Sequence, residues 1–234
     1  MELTLPEITG PVFFSANFGG GEPRRPLRHT QTGTTVLFTD ADGPAQLQGW
    51  DHVLRVPHTQ LASTPRRAAR NIKLQPHNWF PNAAWSVWFD ATHDPLVDLA
   101  TLEDYIQTAD VACFRHPSRT CVAAEITECR LLGLDHAELL TQAADWLREI
   151  KFPDAHGLYG TACVVRRHNP VTLSLGDLWW WGCNRYTQRD QILFPWATWT
   201  LGVVPHCLHG WPRKDQVKGK PSRPNPYFEV TVWD

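Results

Sequence analysis

Short runs of apolar residues, each followed by polar residues, recur along the chain and predict buried strands. The run Trp85–Phe89 is apolar apart from Ser86 and ends at Asp90. Runs of this length bounded by turn residues are typical of strands with both faces covered. Further strands are predicted at 12–15, 35–38, 50–56, 111–114 and near 161–165.

Helical patterns lie between these strands. They are predicted at about 122–132 and 137–150. A further helix is expected to begin at Pro65, because Ser63 and Thr64 precede it and proline suits the first helical position. Strands that alternate with helices predict an α/β sandwich with a mostly parallel sheet. With no internal repeat and no clear linker, we expect one domain over 1–210, and a basic, Pro-rich segment at 211–234 that packs on it or extends from it.

Composition narrows the class of protein. The chain has 234 residues, with 22 Lys and Arg against 24 Asp and Glu and a formal net charge of −2. This balance argues against binding nucleic acid by bulk charge, although it leaves local basic patches open. No apolar run approaches the roughly 20 residues that cross a bilayer, so we expect no membrane association. The 12 tryptophans offer flat apolar surfaces on which sugars or bases could stack.

The N-terminal sequence and the cysteines bear on location. Residues 1–7 lack a basic region followed by an apolar stretch, so no signal peptide is predicted. The six cysteines include no Cys-x-x-Cys pair, which favours reduced thiols. We therefore expect a cytoplasmic protein, bacterial or, for a viral protein, in the host cytoplasm.

A cationic helix is predicted after Pro65. No Asp or Glu occurs from 52 to 89, and Arg66, Arg70 and Lys73 are spaced four and three apart, with Arg67 at the border of the same face. Three cations near a helix start suit a phosphate or diphosphate, because the helix dipole adds to their charge. A solvent-facing basic helix is the open alternative.

The predicted strands end in polar residues, where open α/β sheets bind ligands. Asp90 follows a strand of large apolar residues and would bind Mg²⁺ or Mn²⁺, although a loop cap is the simpler role for a lone carboxylate. The other strand ends carry Ser15 and Asn17, Asp40, and Arg115 with His116.

A charged pair, Arg189 and Asp190, interrupts apolar sequence between 179–181 and 192–194. Burying such a charge is costly unless it is paired or used. Asp190 is therefore either a structural ion-pair partner, most simply of Arg189 or Arg185, or part of an active site. Three histidines follow predicted strands in turn-like sequence: His116, His206 and His209.

The order of these motifs resembles the glycosyltransferase-like domain family that includes plant mucilage-related and bacterial polysaccharide-locus proteins. The resemblance extends from about Pro11 to Phe194. The segments that carry it are Ser15–Gly20, Phe38–Asp40, Arg67–His77, Ser86–Asp90, Phe114–Cys121, Glu125, Arg167–His168, Trp181 and Arg189–Gln191.

This resemblance implies a fold, a donor and a metal. The fold would be a single GT-A-like, Rossmann-like α/β domain whose mostly parallel central sheet is flanked by helices. The donor would be a nucleoside diphosphate sugar and the cofactor a divalent metal, Mn²⁺ or Mg²⁺. Asp40 would lie near the nucleoside, and Arg70 and Lys73 near the diphosphate. The full donor-binding set is Ser15, Asn17, Asp40, Arg67, Arg70 and Lys73.

The resemblance also implies roles around the reacting sugar. Asp190, His116 and Arg189 would be catalytic, with Asp190 taking or orienting the acceptor proton. Asp90 would bind the metal, but the second carboxylate of the Asp-x-Asp motif common in GT-A enzymes is missing, since Ala91 and Thr92 follow. The residues considered to complete the metal shell are Thr92, His93 and a C-terminal histidine, His206 or His209.

The sequence thus predicts a metal-dependent glycosyltransferase that moves a sugar from a nucleoside diphosphate to an acceptor hydroxyl. The acceptor would be a glycan, or a hydroxymethylated base in DNA as in viral DNA modification. Arg24, Arg25, Arg28 and the basic stretch 213–223 would contact DNA phosphates in the second case. The alternative is a non-catalytic carbohydrate- or nucleic-acid-binding module, which the missing carboxylate favours.

Overall fold

A seven-stranded sheet forms the centre of the protein. The structure is a computed structural model that describes residues 5–20, 27, 31–43, 46–96, 101–103, 109–208 and 228–230. In chain order the strands are β1 (Pro11–Asn17), β2 (Thr34–Thr39), β3 (His52–Arg55), β4 (Trp85–Phe89), β5 (His93–Pro95), β6 (Val111–Arg115), β7 (Tyr159–Arg167), β8 (His206–Leu208) and β9 (Phe228–Val230). The central sheet has the order β3-β2-β1-β4-β7-β6-β8, and β5 pairs with β9 in a separate ribbon.

The direction of the strands fixes where a site can form. β1 pairs in parallel with both β2 and β4, β2 with β3, and β6 with β8, whereas β7 runs antiparallel to β4 and β6. The carboxyl ends of β1, β2, β3, β4 and β6 therefore meet at one edge, together with the first residues of β7. This edge is where open α/β sheets bind ligands.

Six helices with both ends in the described residues accompany the sheet: α1 (Pro65–Leu74), α2 (Pro76–Trp79), α3 (Val122–Leu131), α4 (Ala137–Glu149), α5 (Pro170–Arg185) and α6 (Asp190–Thr200). Residues 101–103 are helical as well. α1 begins at Pro65 as predicted, and the Thr64 hydroxyl accepts a hydrogen bond from the Arg67 backbone N–H at 3.2 Å. Asn169 and Thr172 form a capping box that starts α5. None of the described helices is long and apolar enough to cross a membrane.

Alternating strand residues build two cores, one on each face of the sheet. On one face, Phe14 and Trp88 pack with apolar residues of α1 and α3 to α6. On the other, Phe13 and Phe89 pack with Leu27, Trp50 and Leu102. The strands have both faces covered, which explains why their sequences are runs of apolar residues rather than alternating patterns.

The predicted architecture, an α/β domain whose mostly parallel central sheet is flanked by helices, is confirmed. β4 has the predicted bounds, and the other predicted strands and helices occur within a few residues of their expected limits. His206 was expected in a turn, which is wrong: it pairs with Ala112 as the first residue of β8. Within the segment 211–234, residues 228–230 pair with β5, and the basic stretch 213–223 lies outside the described residues.

Candidate active site at the carboxyl edge of the sheet

Asp90 lies directly after β4, at the carboxyl edge. Its backbone N–H donates to the Ala162 carbonyl of β7 at 2.8 Å, which continues the sheet by one residue. The Trp88 indole N–H donates to Asp90 Oδ1, also at 2.8 Å. The side chain stays 31% exposed, so a carboxylate is held rigidly at this edge and remains open to a ligand.

Asp190 is the first residue of α6, and its side chain is only 4% exposed. Its carboxylate is bonded to the Lys73 ammonium, lies 3.1 Å from Arg70 Nε, and accepts a hydrogen bond from the Thr161 hydroxyl at 3.1 Å. The Trp179 indole N–H donates to the Asp190 backbone carbonyl at 2.8 Å. Both the side chain and the backbone of Asp190 are therefore fixed from neighbouring elements.

Lys73 joins the two carboxylates. Its Nζ is bonded to Asp190 and lies 3.8 Å from Asp90 Oδ1, and the side chain is 1% exposed. The rings of Trp88 and Trp179 lie 5.7 and 5.9 Å from the same nitrogen. Lys73, Asp90 and Asp190 come from three distant parts of the chain and form one continuous charged cluster, which we call the edge cluster.

The cationic face of α1 points into the protein. Arg70 and Lys73 both reach Asp190, so the alternative of a solvent-facing basic helix is wrong for these two residues. Arg66 is exposed and donates to the Leu134 carbonyl at 3.1 Å. Arg67 donates to the Asn184 side chain at 3.2 Å, away from the edge cluster.

The partners of Asp190 determine its ionisation. Burial alone would raise the pKa of Asp190, but the charges of Arg70 and Lys73 outweigh burial and hold this pKa well below its usual value. The carboxylate is thus charged at any ordinary pH. The ion pairs of Asp190 are with Lys73 and Arg70 rather than with Arg189 or Arg185. Arg185 lies over the Tyr186 ring, whereas Arg189 approaches Glu125 and its charge also helps to lower the pKa of Asp190.

His116 and Arg189 meet in a second network around Glu125, whose side chain is 2% exposed. Arg119 Nε donates to Glu125 Oε2 at 2.6 Å, and Arg189 Nη2 lies 3.8 Å from Glu125 Oε1. The His116 Nδ1 accepts the Arg119 backbone N–H at 3.0 Å. Burial, together with the Arg119 charge, lowers the pKa of His116 to about 4, so the imidazole is neutral near pH 7.

A cleft opens beside the carboxyl ends of β2 and β3. Its volume is about 250 Å³, and its lining is Asp40, Ala41, Asp42, Arg55, Val56, Pro57, His58 and Thr59. Asp40 Oδ2 accepts a hydrogen bond from His58 Nδ1 at 2.6 Å, and Oδ1 accepts the Gly19 backbone N–H at 2.8 Å. Asp40 is therefore fixed with its carboxylate in the wall of the cleft.

Two further predicted residues lie on β1. Ser15 is fully buried within the strand, and Asn17 ends it beside Thr39 of β2. Asn17 is therefore at the carboxyl edge, one strand from Asp40, whereas the burial of Ser15 removes its side chain from solvent.

Asp90 is the candidate metal ligand that the described residues leave open at the edge. Within them no group of three or more His, Cys, Asp or Glu side chains could hold a metal ion. His93 is fully buried, and its backbone N–H donates to the Asp90 carbonyl at 2.8 Å. In the described part of the chain, Oδ2 of Asp90 accepts no hydrogen bond. A lone carboxylate of this kind fits Mg²⁺ or Mn²⁺ that is bound mainly by substrate phosphates and water.

The structure does not bring His206 to Asp90. His206 pairs with Ala112, which pairs with Val165, which in turn pairs with Val87 of β4. β8 is therefore the third strand from β4, and His206 lies about 14 Å from β4 at the usual strand spacing. Along the strands His206 is level with Val87, three residues before Asp90. His209 lies outside the described residues, as do Arg24, Arg25 and Arg28.

Three residues of the edge had no role assigned from sequence: His58, Thr161 and Glu125. His58 follows β3 by three residues, so the same strand-end rule that singled out Asp40 would have found it. Thr161 lies inside β7, where a strand threonine carries no signal of its own. Glu125 was part of the family resemblance, but its place between two arginines depends on the fold.

Comparison with known proteins gives a family. Residues 39–207 match the family described as TOD1/MUCI70, glycosyltransferase-like domain. Over 185 residues the chain is 30% identical to a probable hexosyltransferase, MUCI70, of Arabidopsis thaliana. The aligned region is 71% of this chain but only 32% of that relative, so the chain spans about a third of the length of the plant protein.

Solved structures also match at low similarity. The WbbM bifunctional glycosyltransferase aligns with 12% identity and a TM-score of 0.43, over 82% of this chain and 38% of that chain. Mouse xyloside xylosyltransferase 1 aligns with 10% identity and a TM-score of 0.48, over 85% of each chain.

Proposed function

The chain belongs to the TOD1/MUCI70 glycosyltransferase-like domain family, and on that premise we propose that it transfers a sugar from a nucleoside diphosphate donor to a hydroxyl of a glycan acceptor. The observation that carries the proposal is the edge cluster, in which Lys73 links the open carboxylate of Asp90 to the buried carboxylate of Asp190. A cation between two carboxylates at a ligand-binding edge suits chemistry in which a charged group departs.

The donor would lie along the carboxyl edge. The cleft beside β2 and β3 would take the nucleoside, with Asp40 accepting a hydrogen bond from it. Its volume of about 250 Å³ is just below the range of about 300–1,000 Å³ for drug-sized ligands, which suits one part of a larger ligand. The diphosphate would then extend across Asn17 toward Asp90.

Asp90 would hold the divalent metal. A bound metal would stabilise the negative charge of the departing diphosphate as a Lewis acid. The chain's own contribution is to fix the carboxylate through Trp88 and the backbone of β7. Phosphate oxygens of the donor would then take the place of the missing second carboxylate as metal ligands.

Arg70 and Lys73 would act differently from the expected direct contact with phosphate. Both are bonded to Asp190, and Lys73 is 1% exposed. Their charge still lies beside Asp90 and lowers the cost of bringing an anionic diphosphate to this edge. In this proposal they keep Asp190 ionised and offset the negative charge of Asp90 and Asp190 beneath the donor.

The reaction is a displacement at the sugar carbon C1. The bond from C1 to the diphosphate oxygen breaks, a bond from C1 to the acceptor oxygen forms, and the proton of the acceptor hydroxyl passes to the departing diphosphate or to water. A general base works best with a pKa near the working pH, and the depressed pKa of Asp190 makes it a poor proton acceptor. We propose that Asp190 instead fixes Lys73 and Arg70 beneath the donor.

A non-catalytic carbohydrate-binding module is the second candidate. It is favoured by the missing second carboxylate of the Asp-x-Asp motif, and within the described residues no group of three or more His, Cys, Asp or Glu side chains could hold a metal ion. The two functions differ in one product, because a module that only binds releases no nucleoside diphosphate.

We expect slow release of nucleoside diphosphate when the protein is incubated with a panel of nucleotide sugars and Mn²⁺. Many transferases accept water weakly in place of the acceptor. Release is measured with a coupled assay, with EDTA and Asp90→Ala as the two negative controls. No release from any donor, despite measurable nucleotide binding by calorimetry, would favour the binding module.

Asp40→Asn is expected to weaken nucleoside diphosphate binding by about tenfold or more. The substitution keeps the shape of the side chain but removes the charge that accepts hydrogen bonds, and bonds to charged groups contribute about 1.5–3 kcal/mol. Titration calorimetry measures the change. Asp145→Asn is the matched control, since Asp145 is exposed and pairs with the exposed Arg148 on α4. An unchanged dissociation constant for Asp40→Asn would contradict the assignment of the nucleoside to this cleft.

A further inference from the structure

The four residues between α5 and α6, Tyr186 to Arg189, determine where Asp190 lies. Arg189 is the N-cap of α6, and its side chain makes no capping hydrogen bond. A helix start without a side-chain cap leaves backbone donors to be satisfied from elsewhere. The position of Asp190 therefore depends on what holds this connector in place.

Asp135, in the loop between α3 and α4, holds the connector. Its Oδ2 accepts hydrogen bonds from the Thr187 hydroxyl at 2.6 Å and from the Gln188 backbone N–H at 3.0 Å. Its Oδ1 accepts the Gln188 side-chain amide at 3.1 Å and the His136 backbone N–H at 2.9 Å. One carboxylate thus accepts three hydrogen bonds from two adjacent residues of the connector.

The connector transmits this restraint to the start of α6. Thr187 is fully buried, and its hydroxyl also accepts the Arg189 backbone N–H at 3.1 Å. The Asp190 backbone N–H donates to the Gln188 carbonyl at 3.1 Å. Every residue from Thr187 to Asp190 is therefore fixed, directly or through one hydrogen bond, to Asp135.

The loop that carries Asp135 is also tied to α1. Arg66 donates to the carbonyl of Leu134, the residue before Asp135. The same helix places Arg70 and Lys73 against Asp190. One loop therefore contacts both α1, which carries Lys73 and Arg70, and the connector that leads into α6.

We propose that Asp135 is a positioning residue for the transfer reaction, which sets the start of α6 so that Asp190 meets Lys73 and Arg70. The inference rests on the proposed function for its effect on turnover. The claim that Asp135 fixes Asp190 depends only on the hydrogen bonds described above and not on the proposed function. The hydrogen bonds from Thr187 and Gln188 also lower the pKa of Asp135, against the effect of burial, which would raise it.

The test combines kinetics with a spectroscopic probe of Asp190. Asp135→Asn and Thr187→Val should each lower kcat by about tenfold to a hundredfold, because a displacement of about 1 Å within an active site costs up to that much even when the substitution lies outside it. The KM for the donor should stay within about twofold. The double variant should lose little more than either single variant, since both remove the same restraint. Asp145→Asn, which removes an exposed carboxylate of α4, is the control and should be unchanged.

The Trp179 indole N–H reports the position of Asp190 without any activity, because it donates to the Asp190 carbonyl at 2.8 Å. Its NMR resonance, assigned with Trp179→Phe, should shift and exchange faster with solvent in Asp135→Asn but not in Asp145→Asn. If the wild-type protein shows no transfer, the proposed function fails and this resonance alone decides whether Asp135 fixes Asp190.

Three results would overturn the proposal. An unmoved indole resonance would show that Asp190 does not depend on Asp135. A moved resonance with unchanged kcat would show that the position is irrelevant to turnover. A lower melting temperature with normal kcat in the cold would make Asp135 a purely structural residue.

Discussion

Asp90→Ala is expected to lower sugar transfer by at least a hundredfold while the protein remains folded. The substitution removes the open carboxylate of the edge, and loss of one group that stabilises developing charge typically costs about 10²–10³ in rate. The fold loses one hydrogen bond from Trp88, or about 1 kcal/mol, and Lys73 keeps its partner Asp190. The measurement is the initial rate of transfer or donor hydrolysis in Mn²⁺.

Asp145→Ala, on the exposed face of α4, is the control for removing a surface carboxylate. Circular dichroism and the melting temperature verify that Asp90→Ala is folded. Near-full activity of Asp90→Ala at saturating Mn²⁺ would mean that neither the metal nor the diphosphate depends on this residue.

Asp190→Asn is expected to lower the free energy of unfolding by about 3–5 kcal/mol, because it leaves Lys73 buried with Asp90 at 3.8 Å as its remaining carboxylate. Turnover should also fall, since Lys73 and Arg70 lose the group that orders them. Denaturant unfolding and kinetics at low temperature measure the two effects separately. A variant as stable as the wild type would contradict the buried pairing with Lys73 and Arg70.

The stability difference should depend on pH in a defined direction. The folded-state pKa of Asp190 is lowered, so its contribution is present in full above the unfolded pKa of about 3.9 and is lost as pH falls toward the folded value. Wild type and Asp190→Asn should therefore differ most at neutral pH and converge in acid. A difference in unfolding free energy between the two proteins that grows as the pH falls would contradict a lowered folded-state pKa of Asp190.

Strands β1 to β4, β6 and β7 were predictable because they contain short apolar runs bounded by polar residues. The short strands β5, β8 and β9 were not predicted, and the sequence of β5, His-Asp-Pro, is not an apolar run. α5 and α6 were not predicted as helices, since α6 is buried around most of its circumference and contains Pro195, which hides the helical period. α5 carries three consecutive tryptophans, of which Trp179 is buried and Trp181 is half exposed. A run of adjacent aromatic residues gives no periodicity from which to predict a helix.

Individual residues of the candidate site were predictable from the sequence, but the contacts between them were not. Asp90 and Asp190 were singled out by position and by an apolar setting. Their link through Lys73 was not, because Lys73 and Asp190 are 117 residues apart and local spacing says nothing about such a contact. The same holds for Asp135 and Thr187, which meet only because α3, α4 and the connector pack together.

The most direct test of the central claim, that a nucleotide sugar binds across the carboxyl edge, is a crystal structure with a nucleoside diphosphate and Mn²⁺. The predicted result places the nucleoside in the cleft against Asp40, and the diphosphate and metal at Asp90 with Lys73 still between the two carboxylates. A diphosphate bound away from Asp90, or a nucleoside outside the cleft lined by Asp40 and His58, would contradict the proposed site.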